Sequence, residues 1–297
     1  MTVQAVVVAG LLFLHYQHVI DRLVWTWKNN GDWSHGFIIP LFSLYYLYLR
    51  RHRRPFGIEG GQTSAQLAGA GLLLLAFAIY VTFTLAKISY PTTVALVISV
   101  AGVVLMLCNW PWARWSWFAV AFLLFALPLP ERLYVALTMP LRFIAAQVSA
   151  SVLSLVPGMD AQPVGAVVEY FYRGQANTLD IEQACSGMRL LITMTALGVA
   201  MAFLSERPLW HRLVMIMSCV PIAIFCNILR VTATGFMVVF EREDLARGFW
   251  HTMLGLAMLA IAFSLYGTLS YVLNHLFIEQ EKNEPTTAVA PTAGAPR

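Results

Sequence analysis

The stretch WHRLVMIMSCVPIAIFCNILRVTATGFMV, residues 210–238, decides the fold. After His211 and Arg212 its single charged side chain is Arg230. The remainder is long enough to cross a hydrocarbon core of about 30 Å, which takes about 20 helical residues. A cation inside such a helix is costly unless it faces a polar cavity or snorkels to the interface. One stretch thus raises both the question of architecture and the question of chemistry.

Working outward, the same apolar character runs through most of the chain. Its 297 residues are 59% hydrophobic and 11% charged, with a mean hydropathy of +0.69, outside the balance of a soluble domain. The expected fold class is an all-α polytopic membrane protein of about eight transmembrane helices. The expected spans are 3–20, 35–50, 66–86, 90–108, 115–130, 187–205, 210–238 and 251–276. The first is short and runs into His15, Gln17 and His18; with no basic leader or cleavage site it reads as an anchor.

The net charge is +4, and RRHRRP at 50–55 is the one basic cluster. By the positive-inside rule that loop is cytoplasmic, which puts NNGDWSHG (29–36) and the segment before Cys185 outside. Residues 1–278 then form the membrane domain, and 279–297, rich in Pro, Ala and Thr, a disordered cytoplasmic tail.

Between the spans, LPLPE (127–131) ends one helix at its prolines and the following segment reads as an outer interfacial helix broken at Pro140. PVGAVVEYFYRGQANTLDIEQ (163–183) then alternates apolar and polar residues around RGQAN, the pattern of a small β-hairpin just before Cys185. Such a hairpin suits a lid that orders an extended peptide through edge-strand hydrogen bonds.

Four cysteines without CxxC or metal-type Cys/His spacing argue against a zinc site or disulfide framework, and no cofactor is expected. No nucleotide-binding glycine loop, HExxH or GxSxG occurs, and nothing points to nucleic acid. Cys108, Cys219 and Cys226 lie inside spans and read as packing residues. Cys185, in DIEQACSGMRLL (180–191), is different: it stands at a helix start with Gly187 nearby and Arg189 four residues on. A helix N-terminus and an adjacent cation both favour the thiolate.

Helical rise of about 1.5 Å per residue places Cys185 roughly 30 Å above Ser205, Arg230 likewise above Trp210, and His251 above Tyr271. All three reach the same interface, where thiol, guanidinium and imidazole can converge. Taken alone, Arg230 could snorkel and His251 could simply open a helix. His35 in GDWSHGF is the rival base, while Asp32 or Ser34 could cap the helix that follows.

With these residues in view the sequence resembles the exosortase/archaeosortase family of integral membrane cysteine proteases and transpeptidases. The resemblance rests on ACSGMRLL (184–191), NILRVTATG (227–235), HTMLG (251–255) and WSHGFIIP (33–40), in the family's order. It implies Cys185 as nucleophile with Arg230 and His251 as catalytic partners. Histidine at the last position points to the bacterial branch, since the archaeal branch has arginine there. The family is thought to cut secreted proteins near a C-terminal Pro-Glu-Pro signal followed by a transmembrane helix and a basic end. Some relatives carry a further soluble domain associated with exopolysaccharide systems, which is not expected in this chain.

On that footing His251 would act as base or ion-pair partner, Arg230 would hold the oxyanion, and Arg189 would read the acidic residue of the signal. His35 is kept as a supporting residue. The expected partners are the bilayer and tailed secreted substrates, the expected setting the bacterial inner membrane with the site on its outer face. The oligomeric state and the natural substrate stay open. Two other readings stand beside this one: a transporter binding an anion or lipid through Arg189, Arg230 and His251 without bond breaking, and a membrane acyltransferase, which lacks an HxxxxD motif here.

Overall fold

The computed structural model describes residues 2–55, 63–180, 187–204, 207–240 and 248–276. The helices are α1 (Thr2–Asn29), α2 (Ile38–Leu49), α3 (Thr63–Leu85), α4 (Ser89–Phe122), α5 (Glu131–Leu153), α6 (Gly187–Leu204), α7 (Leu209–Val239) and α8 (Gly248–Leu276). A 3-10 segment, Gly31–Phe37, joins α1 to α2, and another, Leu123–Ala126, follows α4.

Five described helices are long and apolar enough to cross a membrane, and the chain is a multi-pass membrane protein. The difference from the expected eight has particular causes. α4, Ser89–Phe122, holds two helices that meet at a kink at Asn109 (φ 75°), two residues before Pro111, and so corresponds to both expected segments 90–108 and 115–130. Proline lacks the N–H that would continue the ladder, and asparagine tolerates positive φ better than most residues. α2 spans only Ile38–Leu49 and α6 only Gly187–Leu204, both short of a full crossing. α1 carries its polar residues to Asn29 and is a longer helix than the 3–20 anchor. α5, expected on the surface and broken at Pro140, is one continuous helix that meets the same length and composition criteria.

Small residues let the apolar helices approach. A Cβ on Gly69 of α3 would lie 2.6 Å from the Met106 backbone nitrogen of α4, so that crossing requires glycine. Gly198 of α6 leaves room for the Cys219 thiol of α7. Cys219 and Cys226 are fully buried among Met194, Met215, Met258 and Ala262, as small packing side chains. α1 buries Tyr16, Val19 and Leu23 against α3 and α4, and the Tyr16 hydroxyl meets Ser99 Oγ at 2.8 Å, satisfying both polar groups.

The expected hairpin is a three-stranded antiparallel meander: β1 (Met159–Val164), β2 (Val167–Tyr172) and β3 (Gln175–Asp180). Gly165 (φ 65°) serves the first two-residue turn; Arg173 (φ 50°) and Gly174 (φ 81°) give the second its paired positive φ values. Met159, Ala161, Val168, Tyr170 and Leu179 form a buried face against Ala146, Ala150 and Leu153 of α5 and Val231 of α7. The alternate residues Gln162, Glu169 and Thr178 share the other, exposed face.

Candidate active site

The first motif, GDWSHGF, folds as the 3-10 segment Gly31–Phe37 and is held from several sides. The Asn30 side chain, not Asp32 or Ser34, caps it by accepting from the Asp32 backbone N–H. Ser34 Oγ donates to the Gly31 carbonyl at 2.9 Å. The Asp32 carboxylate is therefore free for a longer-range role. It accepts from the Tyr134 hydroxyl of α5 at 2.7 Å and faces Arg189 Nε of α6 at 3.6 Å. Gly31 makes the approach possible, since a Cβ there would collide with the Arg189 guanidinium. Beyond it, the Trp27 ring covers Gly36 and donates to the Ala126 carbonyl at 2.8 Å.

His35 is 7% exposed, and its Nε2 lies 3.1 Å from the Phe125 carbonyl in the 3-10 turn after α4. Because that carbonyl is an acceptor, Nε2 carries the proton. Burial pushes the imidazole pKa below its ordinary value, against the opposing pull of the Phe125 carbonyl and of Asp32. Nδ1 is buried without a hydrogen-bond partner among the described residues.

These residues border a cavity of about 470 Å³ walled by the 3-10 segment, α6, α7 and α8. Ser34 and His35 come from the first, Arg189 and Thr193 from α6, Asn227 and Arg230 from α7, and Gly255 from α8. Asn227 and Arg230 are one turn apart on one face of α7, and both are buried. Arg230 therefore lines a cavity between the helices and does not snorkel into open solvent. A Cβ on Gly255 would lie 3.7 Å from the Arg230 Cζ, so the guanidinium rests against bare backbone of α8.

Of the residues expected from sequence, Arg230, Arg189 and His35 thus share one cavity. His251 lies in α8 one turn before Gly255, and its side chain falls outside the described part of the structure. Cys185 lies outside the described residues. Sequence reasoning gave no separate role to Tyr134, Gly255 or the Asp32 carboxylate as an Arg189 partner. A single acidic residue inside a histidine-bearing motif was the signal for the last, but its arginine partner is remote in sequence. Chemically, the cavity offers fixed cations and amide or hydroxyl donors beside apolar walls, suited to holding developing negative charge.

A family model described as transmembrane exosortase matches residues 27–267, which takes in the 3-10 motif and every wall of the cavity. No curated protein and no solved structure matches the chain.

Proposed function

The chain belongs to the transmembrane exosortase family, whose members are generally cysteine peptidases or transpeptidases, and from this premise we propose that it is a membrane thiol peptidase. Its substrates are secreted proteins carrying a C-terminal Pro-Glu-Pro type signal, and its setting is the bacterial inner membrane with the site facing outward. The observation that carries the reading is Arg230, buried on α7 against Gly255 of α8, in a cavity shared with Arg189 and His35.

In the proposed reaction the Cys185 sulfur attacks the scissile carbonyl carbon. The carbonyl electron pair moves onto oxygen, where the Arg230 guanidinium stabilises it. Collapse of the adduct breaks the C–N bond, and His251, having taken the thiol proton, returns it to the leaving amine. The thioester is then resolved by water, giving a peptidase, or by an amine, giving a transpeptidase. Arg189, half exposed at the rim and steadied by Asp32, offers its guanidinium to the acidic residue of the signal.

The test is co-expression with a reporter ending in a Pro-Glu-Pro tail. The reporter should shorten with the wild-type protein and stay intact with Cys185→Ser. Mass spectrometry of the product distinguishes a free carboxylate from a new amide. Transport of an anion that survives Cys185→Ser, with no shortening by either protein, would replace this reading with the transporter.

A further inference from the structure

The two edges of the small sheet are built differently. With two-residue turns on both sides of β2, the residues flanking each turn form hydrogen-bonded pairs, and the pattern alternates from there. On β1 this sends the backbone groups of Met159, Ala161 and Pro163 away from β2. Their N–H groups are provided for: Met159 N–H donates to the Val156 carbonyl, Ala161 N–H donates to Ser154 Oγ, which in turn donates to the Ala161 carbonyl, and Pro163 has no N–H. Proline and a capping hydroxyl are common ways to close an edge strand.

β3 has no such protection. Gln175, Asn177 and Leu179 bond to β2, so Ala176, Thr178 and Asp180 direct their N–H and carbonyl groups to the free edge. Among the described residues no backbone or side-chain bond reaches Ala176 or Thr178 from that side. Both are exposed. The strand also leads toward the cavity. Leu179 packs against Gly235 of α7, where a Cβ would lie 3.1 Å from its side chain, and Arg230 is five residues earlier on that helix, roughly 7 Å along its axis.

We propose that the free edge of β3 is a docking strand for the substrate, pairing with an extended segment of the polypeptide through Ala176, Thr178 and Asp180. This rests on the peptidase reading for the identity of the occupant, and adds where and by which atoms the polypeptide is held. Backbone pairing supplies the grip and is tolerant of sequence, and alternate side chains of the docked strand face the polar surface of Gln162, Glu169 and Thr178. A second copy of the chain could in principle use the same edge; the position of β3 beside the Arg230 cavity favours the substrate.

Two measurements test it in the full-length protein. Thr178→Pro removes the N–H that faces the free edge and spares the ladder to β2, whereas Thr178→Val keeps the N–H and the strand preference. Reporter shortening should slow at least tenfold in the first variant and stay near wild type in the second, with both eluting as folded protein in detergent. Independently, Thr178→Cys in a Cys185→Ala background is joined by a short bismaleimide to single cysteines walked along the reporter tail. Adducts should alternate with a period of two residues. Adducts without periodicity, adducts only between two copies of the chain, or unimpaired shortening by Thr178→Pro would overturn the proposal. If even the wild-type protein never shortens the reporter, the peptidase reading falls while the cross-linking pattern still decides docking.

Discussion

Arg189 Nε lies 3.6 Å from Asp32 Oδ1, joining the start of α6 to the 3-10 segment ahead of α2. The arginine side chain is 50% exposed, so the pair contributes little to stability, within about 1 kcal/mol. Its expected weight is functional. Asp32→Asn and Arg189→Gln should each leave the thermal midpoint in detergent nearly unchanged while slowing reporter shortening at least fivefold. A stability loss above about 3 kcal/mol, the range for breaking a buried pair, would make the contact structural instead.

Gly255 separates two outcomes for one position. Alanine places a Cβ 3.7 Å from Arg230 Cζ, an ordinary contact, and should keep most activity. Leucine fills the space beside the guanidinium and should abolish shortening with the fold intact, as read by detergent elution and proteolysis. Full activity in Gly255→Leu would move the substrate out of this cavity.

Arg230→Lys keeps a charge but loses the planar fork. Shortening should fall by about 100-fold or more, the scale of a lost oxyanion donor. Since residues acting as a unit are non-additive, Cys185→Ala with His251→Ala should be little worse than Cys185→Ala alone. Turnover that survives both Arg230→Ala and His251→Ala would shift the roles to Arg189 and His35.

Gly69 offers a test of packing apart from chemistry. Gly69→Ala drives a Cβ to 2.6 Å from the Met106 backbone nitrogen and should destabilise the protein by about 1–3 kcal/mol, the usual cost of overpacking. Gly71→Ala, with nothing within 4 Å, is the matched control and should be neutral or slightly stabilising. Thermal unfolding of the two variants in one detergent makes the comparison.

Orientation is open to direct labelling. Single cysteines at Arg53 and Gln175, both exposed, should react differently with an impermeant maleimide in intact cells, only the second being modified. The reverse pattern would place the cavity on the cytoplasmic side.

Long apolar runs made most of the helical scaffold legible. α3, α7 and α8 begin and end within a few residues of the boundaries read from the sequence, because length and hydropathy alone specify such elements. The break at Asn109 was legible as well, since Asn-Trp-Pro separates segments 90–108 and 115–130 and the backbone is non-helical there. β2 and β3 were visible as an alternation about a turn. β1, MDAQPV, was not, because its proline and weak alternation hide an edge strand whose partner decides it. Of the cavity-lining residues, Arg230 was singled out by the cost of a cation in an apolar helix, His35 by its place at the end of a span and Arg189 by its spacing from Cys185. The Asp32 contacts to Tyr134 and Arg189 were invisible, since nothing local distinguishes a carboxylate that caps a turn from one that reaches across the fold.

The cavity takes its walls from segments that leave the ribosome at very different times: Ser34 and His35 early, Arg189 and Arg230 later, Gly255 near the end. A nascent chain stopped before α8 has inserted several helices yet lacks one wall and the backbone surface against which Arg230 rests. The pocket is complete only once α8, the last of the described helices, is in place.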